Sequence, residues 1–172
     1  MRTTLLPQNA LKMLVYAVND LPKSPIIVCG GVWGGGDILA MAEARPDARF
    51  IAIDSFEGLS QASAYDGNQE CGKFAYSQHQ FELNVRDLDI LVIKEWITEE
   101  SVKNFYRMQV DMLWLDLDLY EPTKAMLSHY GSCSSKIYCH DYDNKNYPGV
   151  KKACDEFGRF ESIGNTIGRF AG

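Results

Sequence analysis

At 172 residues, 46% of them hydrophobic, the chain suits one domain with a full core and leaves no room for a second. A formal net charge of -6, a pI near 5.0 and the lack of any Lys/Arg run interleaved with aromatics argue against nucleic acid or an anionic membrane as partner. A small polar or uncharged ligand is expected instead. The cysteines Cys29, Cys71, Cys133, Cys139 and Cys154 form no CxxC pair or zinc-ribbon spacing and read as small core residues of a reducing compartment. Pro7, Gln8, Asn9, Lys12 and Asn19 break up any leader-like apolar segment, and no stretch approaches the roughly 20 apolar residues of a membrane span. The expectation is a soluble, cytoplasmic protein.

Leu11, Leu14, Val15 and Val18 form a helical stripe within Gln8 to Asn19, ended by Pro22 and Pro25. Residues 1–24 therefore read as an N-terminal packing helix. Pro25 to Cys29 is a short apolar run that breaks into Gly30-Gly31-Val32-Trp33-Gly34-Gly35-Gly36-Asp37, and Ile38 to Ala44 reads as a helix closed by Arg45-Pro46. Strand, glycine-rich turn and helix in that order suggest a nucleotide-binding unit, where glycine permits positive φ and close backbone approach to a ligand. The spacing is not GxGxxG, and many such turns are glycine-rich for steric reasons alone. Arg49 to Asp54 is a second apolar strand, ending in an acid about 23 residues after Gly31, where this kind of fold places a carboxylate on ribose hydroxyls.

Gln61 to Glu82 is polar and aromatic with little periodicity before Phe74, so residues 60–85 read either as a lid over a substrate or as surface connection. Its Tyr65, Phe74, Tyr76 and His79 are candidate acceptor contacts, although a lone histidine in such a stretch is commonly a surface residue. Ile90 to Ile93 reads as a third strand, with Lys94-Glu95-Trp96-Ile97 at its end, and Glu99 to Met108 as an amphipathic helix. Asp111-Met112-Leu113-Trp114-Leu115-Asp116-Leu117-Asp118 is an apolar strand delivering two carboxylates at i and i+2 to one face where the strand stops. Burying such charges costs several kcal/mol unless a metal, a cation or hydrogen bonds compensate. In open α/β sheets the carboxyl ends of the strands are also where ligands bind. The bland alternatives are solvated acids at a strand-loop junction, or one acid capping the next helix.

Lys124 to Tyr130 reads as a helix stopped by Gly131, and Lys136 to Cys139 as a fifth strand ending at His140-Asp141-Tyr142-Asp143. If the fourth and fifth strands are neighbours, about 4.8 Å apart, Asp116, His140 and Asp141 can converge into a metal site. Pro148 and Gly149 start a helix over Val150 to Phe157 with Lys151 and Lys152 outward, and Arg159 to Phe170 closes as a β-hairpin turning at Gly164-Asn165.

The set of Gly31-Val32-Trp33 with Gly35-Gly36, Asp54-Ser55-Phe56-Glu57-Gly58-Leu59, Leu115 to Tyr120 with Thr123, and Asp141-Tyr142 with Gly149 to Ala153 resembles the macrocin O-methyltransferase family. The resemblance runs from about Ile26 to Phe157 and rests on four motifs in the right order. It implies an α/β, Rossmann-like class I methyltransferase fold, with a seven-stranded mostly parallel sheet, helices on both faces and a C-terminal β-hairpin. It also implies an S-adenosylmethionine-dependent, divalent-metal-dependent methyltransferase acting on a hydroxyl of a sugar or glycosylated natural product.

Carried over by resemblance, Gly31, Val32, Trp33 and Gly35 accommodate the cofactor's methionine end, Asp54 its ribose and Trp96 its adenine side, with Ser55 a further cofactor-binding residue. Asp116 and Asp141 ligate the metal, Mg²⁺ in the family, and Asp118 takes the proton. Three positions depart from the family pattern, the first being Glu95, where glycine is more frequent. His140 stands where an aspartate is usual, and Mg²⁺ prefers oxygen ligands while imidazole suits transition metals. His140 is therefore a ligand favouring Mn²⁺, Fe²⁺ or Zn²⁺, a residue turned away from a weaker Mg²⁺ site, or an acid or base. Cys29 stands where glutamate is common near the cofactor's amino-acid end. The chain is short for the family in the N-terminal and lid regions, which select the acceptor and often make dimer contacts, so a homodimer stays open. Two other readings remain: a cofactor-binding homologue without turnover, acting as a regulatory or partner protein, and a dehydrogenase, against which the missing GxGxxG counts.

Overall fold

The computed structural model describes residues 3–172. Its centre is β1 (Ile26–Gly30), flanked by β2 (Arg49–Asp54) on one side and β4 (Val110–Leu115) on the other. Outside these lie β3 (Ile90–Lys94) and β5 (Ser134–Cys139), then β7 (Ile167–Phe170) and β6 (Phe160–Gly164), in the sheet order β3-β2-β1-β4-β5-β7-β6. β1 to β5 are parallel, while β7 runs antiparallel to both β5 and β6. This is the seven-stranded, mostly parallel arrangement expected, with its C-terminal hairpin.

The central strands read as continuous apolar runs because both faces of the sheet are covered. Side-chain alternation divides them: Ile27, Cys29, Met112 and Trp114 enter one core layer with α1 (Gln8–Asn19), α2 (Gly36–Ala44) and α3 (Gln78–Val85). Val28, Leu113 and Leu115 enter the other, against α4 (Tyr120–Tyr130) and α5 (Pro148–Phe157). Burial of a large apolar side chain such as Leu14, Ile38, Phe81 or Met126 contributes about 1.5–3 kcal/mol each. Among the described residues no helix is long and apolar enough to cross a membrane.

Register places the strand ends level. Gly30 is opposite both Ile53 and Leu115, and Leu115 is opposite Cys139. Hydrogen bonds continue one step beyond, from Gly31 N–H to the Ile53 carbonyl (2.9 Å), Asp116 N–H to Gly30 (2.9 Å) and His140 N–H to Leu115 (2.8 Å). Gly31, Asp54, Asp116 and His140 are thereby brought to one edge, at the crevice where chain connections depart in opposite directions.

Several element boundaries differ from the sequence reading. Over Glu99 to Met108 there is only a 3₁₀ turn, Ser101–Asn104, after which Phe105 is extended. Val102 and Phe105 are buried and Met108 partly so, a spacing of three that suits 3₁₀ geometry and gives no α-helical stripe. Residues 60–85 are not loop throughout, since α3 begins at Gln78 with the Ser77 hydroxyl capping Gln80 N–H. The hairpin turns at Asn165 and Thr166, both at positive φ (52° and 60°), one residue later than Gly164-Asn165.

α4 starts at Tyr120 rather than Lys124, because its cap comes from a distant segment. Leu119 offers no side-chain cap, and Asp66, fully buried in the 60–77 loop, accepts the Tyr120 N–H at 2.6 Å. The same carboxylate accepts the N–H (2.8 Å) and hydroxyl (2.6 Å) of Ser63. Pro122 is tolerated because first-turn N–H groups need no intrahelical acceptor. A Cβ at Gly149, at the start of α5, would overlap the Asp66 carboxylate. One acid thus fastens the loop between the starts of two helices.

Asp66→Ala is expected to cost about 1–3 kcal/mol and to make the 60–77 loop sensitive to limited proteolysis, and Gly149→Ala should reproduce the loop release. Unchanged protection of the loop in both variants would contradict the clamp.

Candidate functional site

The carboxyl edge of β1 and β4 opens into a cavity of about 370 Å³, within the range of small-molecule sites. Its walls include Gly31, Val32, Trp33, Asp54, Ser55 and Trp96 on one side and Asp116, Asp118, His140 and Asp141 on the other. All the residues carried over by resemblance therefore share one cavity except Gly35. Gly35 is the N-cap of α2, where a Cβ would meet the Phe81 ring at 2.9 Å, so its place is packing against α3.

Asp54 does something its position alone does not reveal. Oδ2 accepts the N–H groups of Val32 (2.7 Å) and Trp33 (3.2 Å), and Oδ1 accepts that of Phe56 (2.7 Å). The acid at the end of β2 thus holds the glycine turn in shape while remaining on the cavity wall. Gly31 N–H is bonded to Ile53, Gly35 N–H to Val32 and Gly36 N–H to Thr3. These donors of the turn are consumed internally. Ser55 is likewise a turn-former, donating to the Gly58 carbonyl (3.2 Å) and accepting from Glu57 N–H (3.1 Å).

On the opposite wall the acids are not aligned by strand alternation, since β4 ends at Leu115, before either of them. Asp118 sits at φ 62°, in a turn closed by Leu119 N–H bonding to the Leu117 carbonyl at 2.7 Å. A γ-turn of that hand is strained, and it re-aims the Asp118 side chain. Asp141 is also left-handed (φ 61°) and buried, with Asn144 donating to its Oδ1 at 2.7 Å. Asp116, His140 and Asp141 each offer a ligand atom within 4.8 Å of the others. His140 Nδ1 lies 2.9 Å from Asp116 Oδ1 and 3.3 Å from Asp141 Oδ2, and its Nε2 lies 3.2 Å from the Thr166 hydroxyl. The ring is therefore turned toward the two carboxylates, and Thr166 holds it from behind.

Charge explains the titration behaviour. Burial opposes a positive His140, but the Asp116 charge and hydrogen bonds to Asp116 and Asp141 outweigh it and raise the imidazole to about 11. Asp118 is pushed well above the usual carboxylate range by burial, then by the Asp116 and Asp141 charges, and shares a hydrogen bond with Asp141. For Asp141, burial is outweighed by its bonds to His140, which hold it below the usual value. Two carboxylates and an imidazole suit a divalent ion of intermediate hardness, such as Mn²⁺ or Fe²⁺, better than the all-oxygen set Mg²⁺ favours.

Sequence reasoning missed Asp37, Asn144, Tyr147 and the N-terminal residues Thr3 to Leu6, all of which line the cavity. Asn144 had a local signal, three residues after Asp141 in an Asx-type turn. The N-terminal segment had none, because only the fold lays it over the glycine turn. Of the aromatic candidates in the 60–85 stretch, Phe74 lines the cavity. Tyr65 instead packs on Tyr120 (4.7 Å between ring centres), Tyr76 on Trp33 (4.8 Å), and His79 is exposed on α3. All five cysteines are free, and all but Cys71 are buried.

Among solved structures, the chain is similar to CalS11, a calicheamicin methyltransferase, at 20% identity and TM-score 0.74 over 94% of this chain and 76% of that one. A second CalS11 structure, described as TDP-rhamnose 3′-O-methyltransferase, matches at 18% identity, a TM-score of 0.63 and 94% and 76% coverage. The O-methyltransferase NovP matches at 19% identity and TM-score 0.75, over 99% and 82% of the two chains. The O-methyltransferase of Bacillus cereus, solved with S-adenosylhomocysteine (SAH), matches at 15% identity and TM-score 0.61, over 95% and 81%. At these identities the likeness shows a common fold. The fold is that of the Rossmann-like methyltransferases. No protein-family model and no curated protein matches the sequence.

Asp118→Asn removes the cost of holding a carboxyl neutral in a buried place facing Asp116 and Asp141, and puts in a residue that tolerates positive φ. Thermal unfolding is expected to show a stabilisation of about 1 kcal/mol, or about 2–4 °C. A lower midpoint would contradict the strain assigned to Asp118.

Proposed function

We propose that this chain is an S-adenosylmethionine-dependent O-methyltransferase that acts, with help from a divalent metal, on a hydroxyl of a small acceptor, a sugar or glycosylated natural product. The observation that carries this reading is the chemistry of the cavity. Its glycine turn spends the N–H groups of Gly31, Val32, Trp33, Gly35 and Gly36 on the protein itself, and the ionisable side chains of its walls include the carboxylates of Asp37, Asp54, Asp116, Asp118 and Asp141 against one imidazole, His140. A phosphate needs free N–H donors and positive potential, so a dinucleotide is a poor occupant. A nucleoside carrying positive charge is a good one. The fold, shared with CalS11 and NovP, supports the same reading and suggests the sugar-type acceptor.

The cofactor supplies a methyl carbon made electrophilic by its sulfonium, and a divalent ion held by Asp116, His140 and Asp141 would lower the pKa of an acceptor hydroxyl. The chain's residues do the rest. Asp54, at the end of β2, borders the ribose while fixing the turn against which the methionine end lies, and Ser55 and Trp96 border the nucleoside. Asp118 lies on the cavity wall with the proposed metal ligands and, in its ionised form, is the base. It receives the acceptor's proton as the oxygen–carbon bond forms and the carbon–sulfur bond breaks, with the electron pair leaving on sulfur. Placing donor and acceptor in line supplies much of the remaining acceleration.

A second reading, a cofactor-binding protein without turnover, is favoured by one observation. The His140 imidazole lies between Asp116 and Asp141, where a metal would stand.

Transfer of labelled methyl groups to glycosides and small polyols, in Mg²⁺ or Mn²⁺, distinguishes the two. Asp118→Asn should retain cofactor binding and lose about 10²- to 10⁴-fold in turnover, and full turnover would remove Asp118 from the base role. His140→Asp should raise Mg²⁺ affinity measured without acceptor. If that affinity stays the same, His140 is not a ligand.

A further inference from the structure

The buried carboxylate of Asp37 has no part in the chemistry above. It lies in the first turn of α2, is 5% exposed, and borders the same cavity beside Gly31 and Trp33. Its environment is costly for a charge. Oδ2 accepts the indole N–H of Trp114 at 2.8 Å, Oδ1 accepts the Ile38 N–H at 2.9 Å, and no lysine, arginine or histidine among the described residues pairs with it. Burial and then the Asp116 charge lift it to about 7. Helix N-termini tolerate an acid in the first turn, but that explains neither the burial nor the indole that pins the side chain. Trp114 is wholly buried in the middle of the sheet, between Cys29 of β1 and Tyr138 of β5. Its ring is therefore fixed, and so is the oxygen it donates to.

A preorganised, uncompensated carboxylate on a cavity wall is a site for a cation that arrives with the ligand. The candidates within the cofactor are its sulfonium and its primary ammonium. A sulfonium donates no hydrogen bond, whereas an ammonium can donate to the lone pair that each Asp37 oxygen keeps beside its bond to Trp114 or Ile38. We infer that Asp37 is the anchor for the α-ammonium of the ligand's amino-acid portion, with Trp114 as its positioning residue. This rests on the cofactor reading given above. The neighbouring Cys29 thiol, pushed up by burial and by the Asp37 charge, stays neutral beside it and leaves Asp37 as the acid at this point.

Calorimetric titrations of the wild type and of Asp37→Asn, with SAH and with its analogue lacking the α-amino group, form a closed cycle. Asparagine keeps the shape and the acceptor for Trp114, and thermal midpoints of both proteins verify folding. The wild type should bind the deaminated analogue about 10- to 100-fold more weakly than SAH, the range of a hydrogen bond to a charged group. Asp37→Asn should lose that factor for SAH and nothing for the analogue. Equal losses for both ligands, or no loss for either, would overturn the assignment while leaving the cofactor reading intact. Failure of the wild type to bind either ligand would overturn both.

Discussion

The carboxyl edge of the sheet depends on the close approach of Gly31 to the strand beside it. Gly31 is at φ 76°, and a Cβ there would overlap the Asp116 carbonyl. Only glycine lets the chain leaving β1 pass this close to the Asp116 carbonyl that follows β4. That approach sets the width of the crevice, and the level register of β2, β1, β4 and β5 sets what surrounds it. Asp54, Asp116, His140 and Asp141 arrive together because their strands end together. The Asp54 carboxylate then ties down Val32 and Trp33, so the turn is held from two sides.

The second constraint is electrostatic. Acids from α2, β2 and the turns that follow β4 and β5 face one cavity, with His140 the basic side chain lining it among the described residues. Such an arrangement is costly when empty of cations, and the strain is visible where it is stored. Asp118 and Asp141 have left-handed backbones, and so does the β-branched Thr166 that holds the His140 ring. Each of these residues holds a sparsely populated backbone conformation, at some expense in stability. The 60–77 loop, pinned at Asp66, closes one side of the same region by placing Ser60 and Phe74 in the cavity wall without joining the charged cluster.

The fold was largely legible because its central strands are buried on both faces and therefore read as short apolar runs between turn residues. The Leu11, Leu14, Val18 stripe marked α1 for the same reason. Illegible features were those whose cause is distant in sequence. The start of α4 is set by Asp66, and the α-helix expected over Glu99 to Met108 reduces to a 3₁₀ turn whose buried residues recur every three positions. In the site, the residues named by motif sit on one cavity except Gly35, whose glycine serves packing against Phe81. Asp37 was hidden by its place at a helix start, where an acid ordinarily needs no explanation. Only the indole of Trp114, distant in sequence, shows that its side chain is fixed in place.

The central claim is that this cavity is built for a positively charged nucleoside and against phosphate. Calorimetric competition between S-adenosylmethionine and NAD⁺ for the wild-type protein tests it most directly, since both carry adenosine and differ in the charge that follows it. The account predicts micromolar binding of S-adenosylmethionine and no displacement by millimolar NAD⁺. Tight binding of NAD⁺, or displacement of S-adenosylmethionine by it at equal concentration, would contradict the account.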